Sequence, residues 1–347
     1  MADQGDKDLS KIRQRIDELD AEIQKSIAER AKLAQEVGLA KSDASTVEFY
    51  RPERESEVLR SVLERNQGPL TDEEMVRLFR EIMSACLSQQ EPLKVGFLGP
   101  AGTFSHQAVL KHFGHSVRAL PMGTLDEVFG AVEAADADFG VVPIENSTAG
   151  VVSHTLDLFL SSPLKICGEV QMRIRQHLMG TMDRLEDIRR VSAHPQSLSQ
   201  CQGWLRQHLP DVELVGASSN AEGARRARDE MGTAAIAPRA AAEIYGLNVL
   251  FDSIEDESDN TTRFLVIGRK ILEPSGADRT TLMLSGAETD RSGSLYEMLE
   301  PLARHGVNMT RIESRPSRRR SWHYVFFVDL EGHAQDENVG PALNELE

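Results

Sequence analysis

Little in this chain of 347 residues invites oxidative or metal chemistry. It has three cysteines, Cys86, Cys167 and Cys201, an odd number with no CxxC spacing. A disulfide framework and a structural zinc site are both disfavoured, no metal is expected, and a reducing cytoplasm is the natural location. Long apolar runs are missing too: no stretch approaches the roughly 18 to 20 residues of a membrane span. Residues 1–11 are charged and lack an apolar centre, so no secretory leader is expected there. Positive charge is scarce, with 39 Lys and Arg against 55 Asp and Glu and a net charge of −16. A chain this acidic is a poor partner for a nucleic-acid backbone, and the arginine run at 318–320 is too short to reverse that. What remains is ordinary globular composition, 40% hydrophobic and 27% charged, with length for two or three domains.

Residues 1–90 read as helix, with Phe49, Tyr50 and Phe79 their only aromatics. Ile12, Ile16, Leu19, Ile23 and Ile27 recur at steps of three and four, and Leu33, Val37 and Ala40 continue them. With no proline before position 52, the pattern predicts one helix over 10–41, roughly 45 Å long. Pro52 suits the first turn of a second helix over 53–66, and Thr71-Asp72-Glu73-Glu74 suits a capped start for a third reaching 90. Three helices so unequal make a poor monomeric bundle. Pairing of two copies through the long helix is therefore expected.

Past Glu91-Pro92 the grammar changes. Short apolar runs at 95–98, 139–144, 164–169, 189–193, 213–217, 234–237 and 264–267 alternate with helical stretches such as 105–113, 124–134, 197–208 and 221–230. That alternation predicts an α/β region with largely parallel sheets, as one domain or two lobes. A turn-rich linker, 273–278, leads to a βαββα order: strand 280–285, helix 294–304, strands 308–315 and 322–330, helix 336–346. The expected domains are thus 1–92, 93–270 and 279–347.

Several residues carry chemistry. Arg30 and Lys41, 11 positions apart on the long helix, fall within about 20° on one face and roughly 16 Å apart along it. Arg30 also stands in the apolar register, where a charge needs a counter-charge; a bound dicarboxylate would supply one. Arg13 lies roughly 25 Å from Arg30 along the helix, so it could complete that site only from a partner chain. In the middle region, "GPAGTFSHQA" (99–108), "VVPIENSTAG" (141–150) and "SAHPQSLSQC" (192–201) are polar strand-to-helix turns. Together they predict a cleft for a small anion, and no Gly-Lys-Ser/Thr follows to make a nucleotide loop. "NTTRFLVIG" (260–268) sets Thr262 and Arg263 just ahead of a strand.

The run 12–41, "IRQRIDELDAEIQKSIAERAKLAQEVGLAK", with "FYRPERE" (49–55) and "LSQQ" (87–90), resembles the helical chorismate mutases. The resemblance implies an all-α dimer burying two sites and a pericyclic rearrangement of chorismate to prephenate. The enzyme folds the substrate and stabilises charge on the breaking ether oxygen. It implies that Arg13 of the partner and Arg30 bind carboxylates and that Lys41 and Gln89 donate to the ether oxygen. Glu55 would hold the ring hydroxyl with Arg54 in support. Arg51 and Ala85 depart from the aspartate and serine of some members.

"GPAGTFSH", "IENSTAG", "AHPQ", "YGLNVL" and "NTTRF" together resemble prephenate dehydratase over 94–270. That family is two-lobed, like the periplasmic binding proteins, and converts prephenate to phenylpyruvate with loss of the ring hydroxyl and CO2. The resemblance implies Thr262 as the essential residue, Asn146, Ser147, His194 and Gln196 as cleft members, and Arg263 as a carboxylate anchor; His194 could equally be a capping imidazole. "SGSLYEMLEPLARHGVNMTRIESRP" (292–316) resembles the ferredoxin-like ACT domain, which implies phenylalanine bound near Gly293, Leu295, Asn308, Glu313, Ser314 and Arg315. Family members continue into a final strand, so a domain ending at Glu347 is expected to lack it. No metal or organic cofactor, nucleic acid or membrane is implied. The expected partners are chorismate, prephenate, phenylalanine and further copies of the chain. Two rival readings stand beside this one: an amino-acid sensor without catalysis, for which Thr262 and the cationic helix would be unnecessary, and a dehydratase whose mutase domain is inactive through Arg51 and Ala85.

Overall fold

Helix α1 (Ala2–Ser42) is a single rod that begins earlier than the apolar pattern alone predicts. The structure, a computed structural model, describes residues 2–42, 50–90, 92–285, 292–317 and 324–346, the side chains of 2–8 and 40–42 excepted. Helix α2 (Pro52–Arg65) opens on Pro52, whose missing N–H is harmless in a first turn. Helix α3 (Asp72–Leu87) opens on a reciprocal cap. Thr71 Oγ1 accepts from the Glu74 N–H at 3.3 Å, and Glu74 Oε2 accepts from the Thr71 N–H at 3.0 Å. Near its end α1 rests on the segment after α3: Gln90 Nε2 donates to the Ala34 carbonyl and lies against Gly38. The apolar stripe stays open to solvent, with Ile12 58%, Ile23 55% and Leu33 55% exposed. Among the described residues of one chain that stripe is left uncovered.

The middle region forms two lobes. The first holds β1 (Lys94–Leu98), α4 (Phe104–Phe113), β2 (Arg118–Met122), α5 (Leu125–Glu133), β3 (Phe139–Asn146), β4 (Gly150–Val151), α6 (Ser153–Phe159) and β5 (Lys165–Arg173). The second holds β6 (His177–Gly180), β7 (Arg190–Ala193), α7 (Pro195–Gln200), α8 (Gln202–His208), β8 (Glu213–Gly216), α9 (Asn220–Asp229), β9 (Thr233–Ala237), α10 (Arg239–Tyr245) and β10 (Asn248–Phe251). The chain then returns, and β11 (Thr261–Gly268) inserts between β3 and β5. The sheets run β2-β1-β3-β11-β5, with β4 on β3, and β10-β6-β9-β7-β8. Each is mixed rather than largely parallel. β11 is antiparallel to both neighbours, and β6 is antiparallel to β9 and β10, because the chain twice crosses between lobes and re-enters from the other end.

The third region is β12 (Arg279–Leu284), α11 (Ser294–Arg304), β13 (Met309–Pro316), β14 (Tyr324–Glu331) and α12 (Val339–Asn344), with sheet order β12-β14-β13. Alternation along β14 divides its side chains. Val328 and Leu330 pack with Leu302, Val339 and Ala342 of the helices, while Val325 and Phe327 join the core of the first lobe. On the other side of that lobe, Tyr50 packs against Phe113 and Phe139 at 5.6 and 5.5 Å between ring centres. The first-lobe sheet therefore carries a domain on each face. Among the described residues, no helix is long and apolar enough to cross a membrane, and the three cysteines are buried thiols.

Candidate functional site

Where β3 and β11 end side by side, Asn146 and Thr262 are cross-strand partners and both are buried. Asn146 Oδ1 accepts from the backbone N–H of Thr148 at 3.2 Å and of Ala149 at 2.9 Å. A backbone N–H can only donate, so this edge of the amide is its oxygen and the opposite edge is its nitrogen. Asn146 Nδ2 then donates to Thr262 Oγ1 at 2.8 Å and Asn260 Oδ1 at 2.7 Å. Having accepted that hydrogen bond, the Thr262 hydroxyl is left with its own O–H to donate elsewhere. Pairing jumps from Arg263–Glu145 to Phe264–Pro143, a bulge just behind this point that re-aims the strand end.

Beside the dyad lies a cleft of about 350 Å³ between the lobes, lined by Thr148, Gln196, Gln200, Glu255, Asp256 and Asn260 among others; Thr148 and Asn260 hydrogen-bond Asn146, while Asn146 and Thr262 do not themselves line it. Gln200 Nε2 donates across it to Thr148 Oγ1 at 3.3 Å. Of the lining carboxylates, Glu255 accepts from the Gln176 N–H, and Asp256 takes the Gly203 and Trp204 N–H groups at the start of α8. Asn260 is 1% exposed, and its Nδ2 has no hydrogen-bond partner among the described residues. Leaving such a donor unpaired is costly, and a ligand in the cleft could satisfy it.

The remaining expected members are distributed unevenly. Ser147 binds strand to strand, its Oγ accepting from the Thr261 N–H at 2.9 Å. His194 caps α7, with Nδ1 accepting from the Gln196 N–H at 3.3 Å, and Gln196 itself lines the cleft. Thr262 and Arg263 lie within β11, not ahead of it, and consecutive strand residues face opposite ways. Arg263, expected as a carboxylate anchor, is paired within the chain: its guanidinium binds Glu169 at 2.7 Å and Asp329 at 2.6 Å.

In the helical region Arg30 shares one face of α1 with Ala34 and Gly38, the residues that meet Gln90, and Gln89 is exposed beside them. Arg13 is exposed on the open part of the rod, and the Lys41 side chain lies outside the described residues. Glu55 is paired within the chain to Arg80 at 3.2 Å. Burial, and then the Glu55 charge and hydrogen bond, push the Tyr50 hydroxyl well above its usual range. Arg54 reaches Glu57 at 2.7 Å and not Glu55. Arg51 precedes α2 in contact with Glu53, and Ala85 is exposed on α3.

In the third region Gly293, at φ 90°, starts α11, with Leu295 and Asn308 exposed nearby. Ser314 is exposed, whereas Arg315 is not available to an effector here: it makes a two-pronged contact with Asp157 of α6, at 3.1 and 2.9 Å. Glu313 shares the strand parity of Arg315 and is half-buried on that side.

Three family models match the chain: chorismate mutase type II over residues 12–91, prephenate dehydratase over 95–271 and the ACT domain over 280–347. A bifunctional chorismate mutase/prephenate dehydratase of Stutzerimonas stutzeri is 50% identical, covering 97% of this chain and 93% of that protein. The Pseudomonas aeruginosa enzyme of the same name is 47% identical over 100% and 95%. A solved prephenate dehydratase from Arthrobacter aurescens, in complex with L-Phe, superposes with a TM-score of 0.68 at 38% identity, covering 73% of this chain and 85% of that one. The chain belongs to the bifunctional chorismate mutase/prephenate dehydratase family. Both catalytic domains of that family are therefore present, joined by an ACT domain, and the sensor and single-activity readings are not favoured. Of the residues lining the cleft, Asn260, Gln200 and Thr148 were not singled out from the sequence. Their only signal was position, beside Thr262, His194 and Asn146 in motifs already singled out.

Proposed function

We propose that the chain rearranges chorismate to prephenate in its helical domain and converts prephenate to phenylpyruvate in its two-lobed domain. The observation that supports the second step is the oriented Asn146 amide, which donates both to the Thr262 hydroxyl and to Asn260 of the cleft wall and leaves the Thr262 O–H to donate elsewhere. Thr262 donates to the departing ring hydroxyl, aromatisation drives loss of CO2, and the unpaired Asn260 Nδ2 together with Gln196 meets the substrate's polar groups. A neutral threonine is a weak acid, so its hydrogen-bonded surroundings must relay or share the proton.

For the first step two copies pair along α1, burying the open stripe and bringing Arg13 of one chain to Arg30, Lys41, Gln89 and Glu55 of the other. That reading requires Glu55 to leave or share Arg80. Phenylalanine binds the ACT domain near Gly293, Leu295, Asn308 and Ser314 and lowers dehydratase activity, in the cytoplasm. The test is incubation of the purified chain with chorismate. Prephenate and then phenylpyruvate should form, with less phenylpyruvate when phenylalanine is added. Failure to consume chorismate would remove the first assignment, and failure to consume supplied prephenate the second.

A further inference from the structure

Behind the dyad the chain carries a second constellation. Glu145 and Arg263, the neighbours of Asn146 and Thr262, are cross-strand partners in the first-lobe sheet. Arg311 of β13 and Asp329 of β14 are cross-strand partners in the ACT sheet. The two pairs meet face to face. Arg263 Nη1 lies 2.6 Å from Asp329 Oδ2, and Arg311 Nε lies 3.1 Å from Glu145 Oε2. Four charges thus alternate in sign around a square, with each sheet supplying one acid and one base. Three of the four are largely desolvated: the side chains of Arg263 and Arg311 are each 14% exposed and that of Asp329 3%, whereas Glu145 is 38% exposed.

The two arms differ. Asp329 also accepts from Thr281 Oγ1 at 2.7 Å, and Arg263 also holds Glu169 at 2.7 Å, so that arm is saturated. Arg311 Nη2 is buried with no hydrogen-bond partner among the described residues, so the other arm is under-satisfied and the easier to release. Removing Glu145 would strand the largely desolvated Arg311 charge, whereas removing Arg311 would leave Glu145 partly in water.

We propose that Arg311 and Asp329 are positioning residues for the dehydratase step. The ACT sheet grips the strand ends from behind through Glu145 and Arg263, and the alignment of Asn146 with Thr262 depends on that grip. This rests on the reading of Thr262 as the group that assists hydroxyl loss. A shift of about 1 Å at a reacting centre can cost as much as 100-fold in rate, so a few tenths of an ångström at the dyad is enough to matter.

The test uses the full chain. Arg311→Met should lower kcat for phenylpyruvate formation roughly tenfold with KM nearly unchanged and mutase activity intact, and Arg311→Lys should recover most of the loss. Adding Glu145→Gln to Arg311→Met should cost no more than the worse single change, because both cut one contact. Asp329→Asn, nearly isosteric, serves if Arg311→Met does not fold. Thr262→Val tests the underlying reading on its own. If Thr262→Val is dead while Arg311→Met and Asp329→Asn keep wild-type kcat, the positioning role is overturned. If Thr262→Val is active, the dyad reading falls and the proposal falls with it.

Discussion

Replacing Asn146 by aspartate changes one atom and tests the logic of the dyad. The new carboxylate can still accept from the Thr148 and Ala149 N–H groups, so the loop keeps its shape. On the other edge an oxygen now faces Thr262 Oγ1 and Asn260 Oδ1, where a nitrogen donated at 2.8 and 2.7 Å. The Thr262 hydroxyl must turn its proton toward that carboxylate and can no longer donate it elsewhere. Positioned proton transfer contributes about 100- to 10,000-fold, so Asn146→Asp should reduce dehydratase kcat at least about 100-fold, or about 2.7 kcal/mol of barrier. KM should move little, since the cleft walls are unchanged. The Asn260 carbonyl loses its donor, which should cost about 1–3 kcal/mol of stability. As pH falls, protonation of the new carboxyl restores an O–H on that edge and activity should partly return. The assay is steady-state phenylpyruvate formation across pH, with melting temperature as the control for folding. A folded Asn146→Asp enzyme with kcat within about threefold of wild type at neutral pH would refute the reasoning, because a positioned donor is worth far more than that.

Arg30→Ala should lower mutase activity about 30-fold or more by stranding a substrate carboxylate, while prephenate turnover on the same preparation stays within twofold; equal loss of both would contradict the separation of the sites. Ile16→Glu with Ile23→Glu puts charge into a stripe that is 50% and 55% exposed in one chain. Sedimentation should show a shift to monomer with mutase activity lost and dehydratase kept. His112 is held down to about 3 by burial and then by the nearby Arg80 charge. The unfolded chain takes up this proton near pH 6.5 and the folded chain refuses it, so stability should fall with acidification from about pH 6.5 toward 3. The fall is at most about 1.4 kcal/mol per pH unit. Chemical unfolding of wild type and His112→Gln at about pH 6.5 and about 5 checks it, with the variant showing the flatter slope.

The helical domain was legible because its cues are local. Pro52 at a first turn, the Thr71–Glu74 cap and the Ile12-to-Ile27 stripe each span a few residues. The two-lobed domain was legible only in part. β11 follows β5 by almost the whole second lobe, yet lies beside it, and no periodicity records such a return. β2 carries Pro121, which reads against a strand but is tolerated at the sheet edge where β2 sits. β6 is four buried residues, too short to show alternation. Arg263, expected as a carboxylate anchor, is instead found paired to Glu169 and Asp329. Its motif places it next to Thr262, and the two-residue period of a strand already forbids both from facing one cleft. Placing the strand start at Phe264 instead of Thr261 hid that rule. Arg315 misled differently, since nothing local reveals that Asp157 of another domain will meet it.

The first-lobe sheet is where the three domains exchange constraint. On one face Tyr50 plugs between Phe113 and Phe139, and Arg80 joins Glu55 to the Lys111 carbonyl of α4. On the other, Val325 and Phe327 share its core, and the charged square joins it to β13 and β14. Glu55, expected to meet the ring hydroxyl of chorismate, is thus tied through one arginine to the dehydratase domain, just as Thr262 is tied through Arg263 to the ACT domain. Each proposed site has a residue whose immediate partner belongs to, or contacts, the neighbouring domain. Ion pairs at these distances join the neighbouring elements whether or not they add net stability. A rearrangement at either face therefore has a short physical route to catalysis: one hydrogen-bonded side chain on the mutase side, and one residue of strand on the dehydratase side.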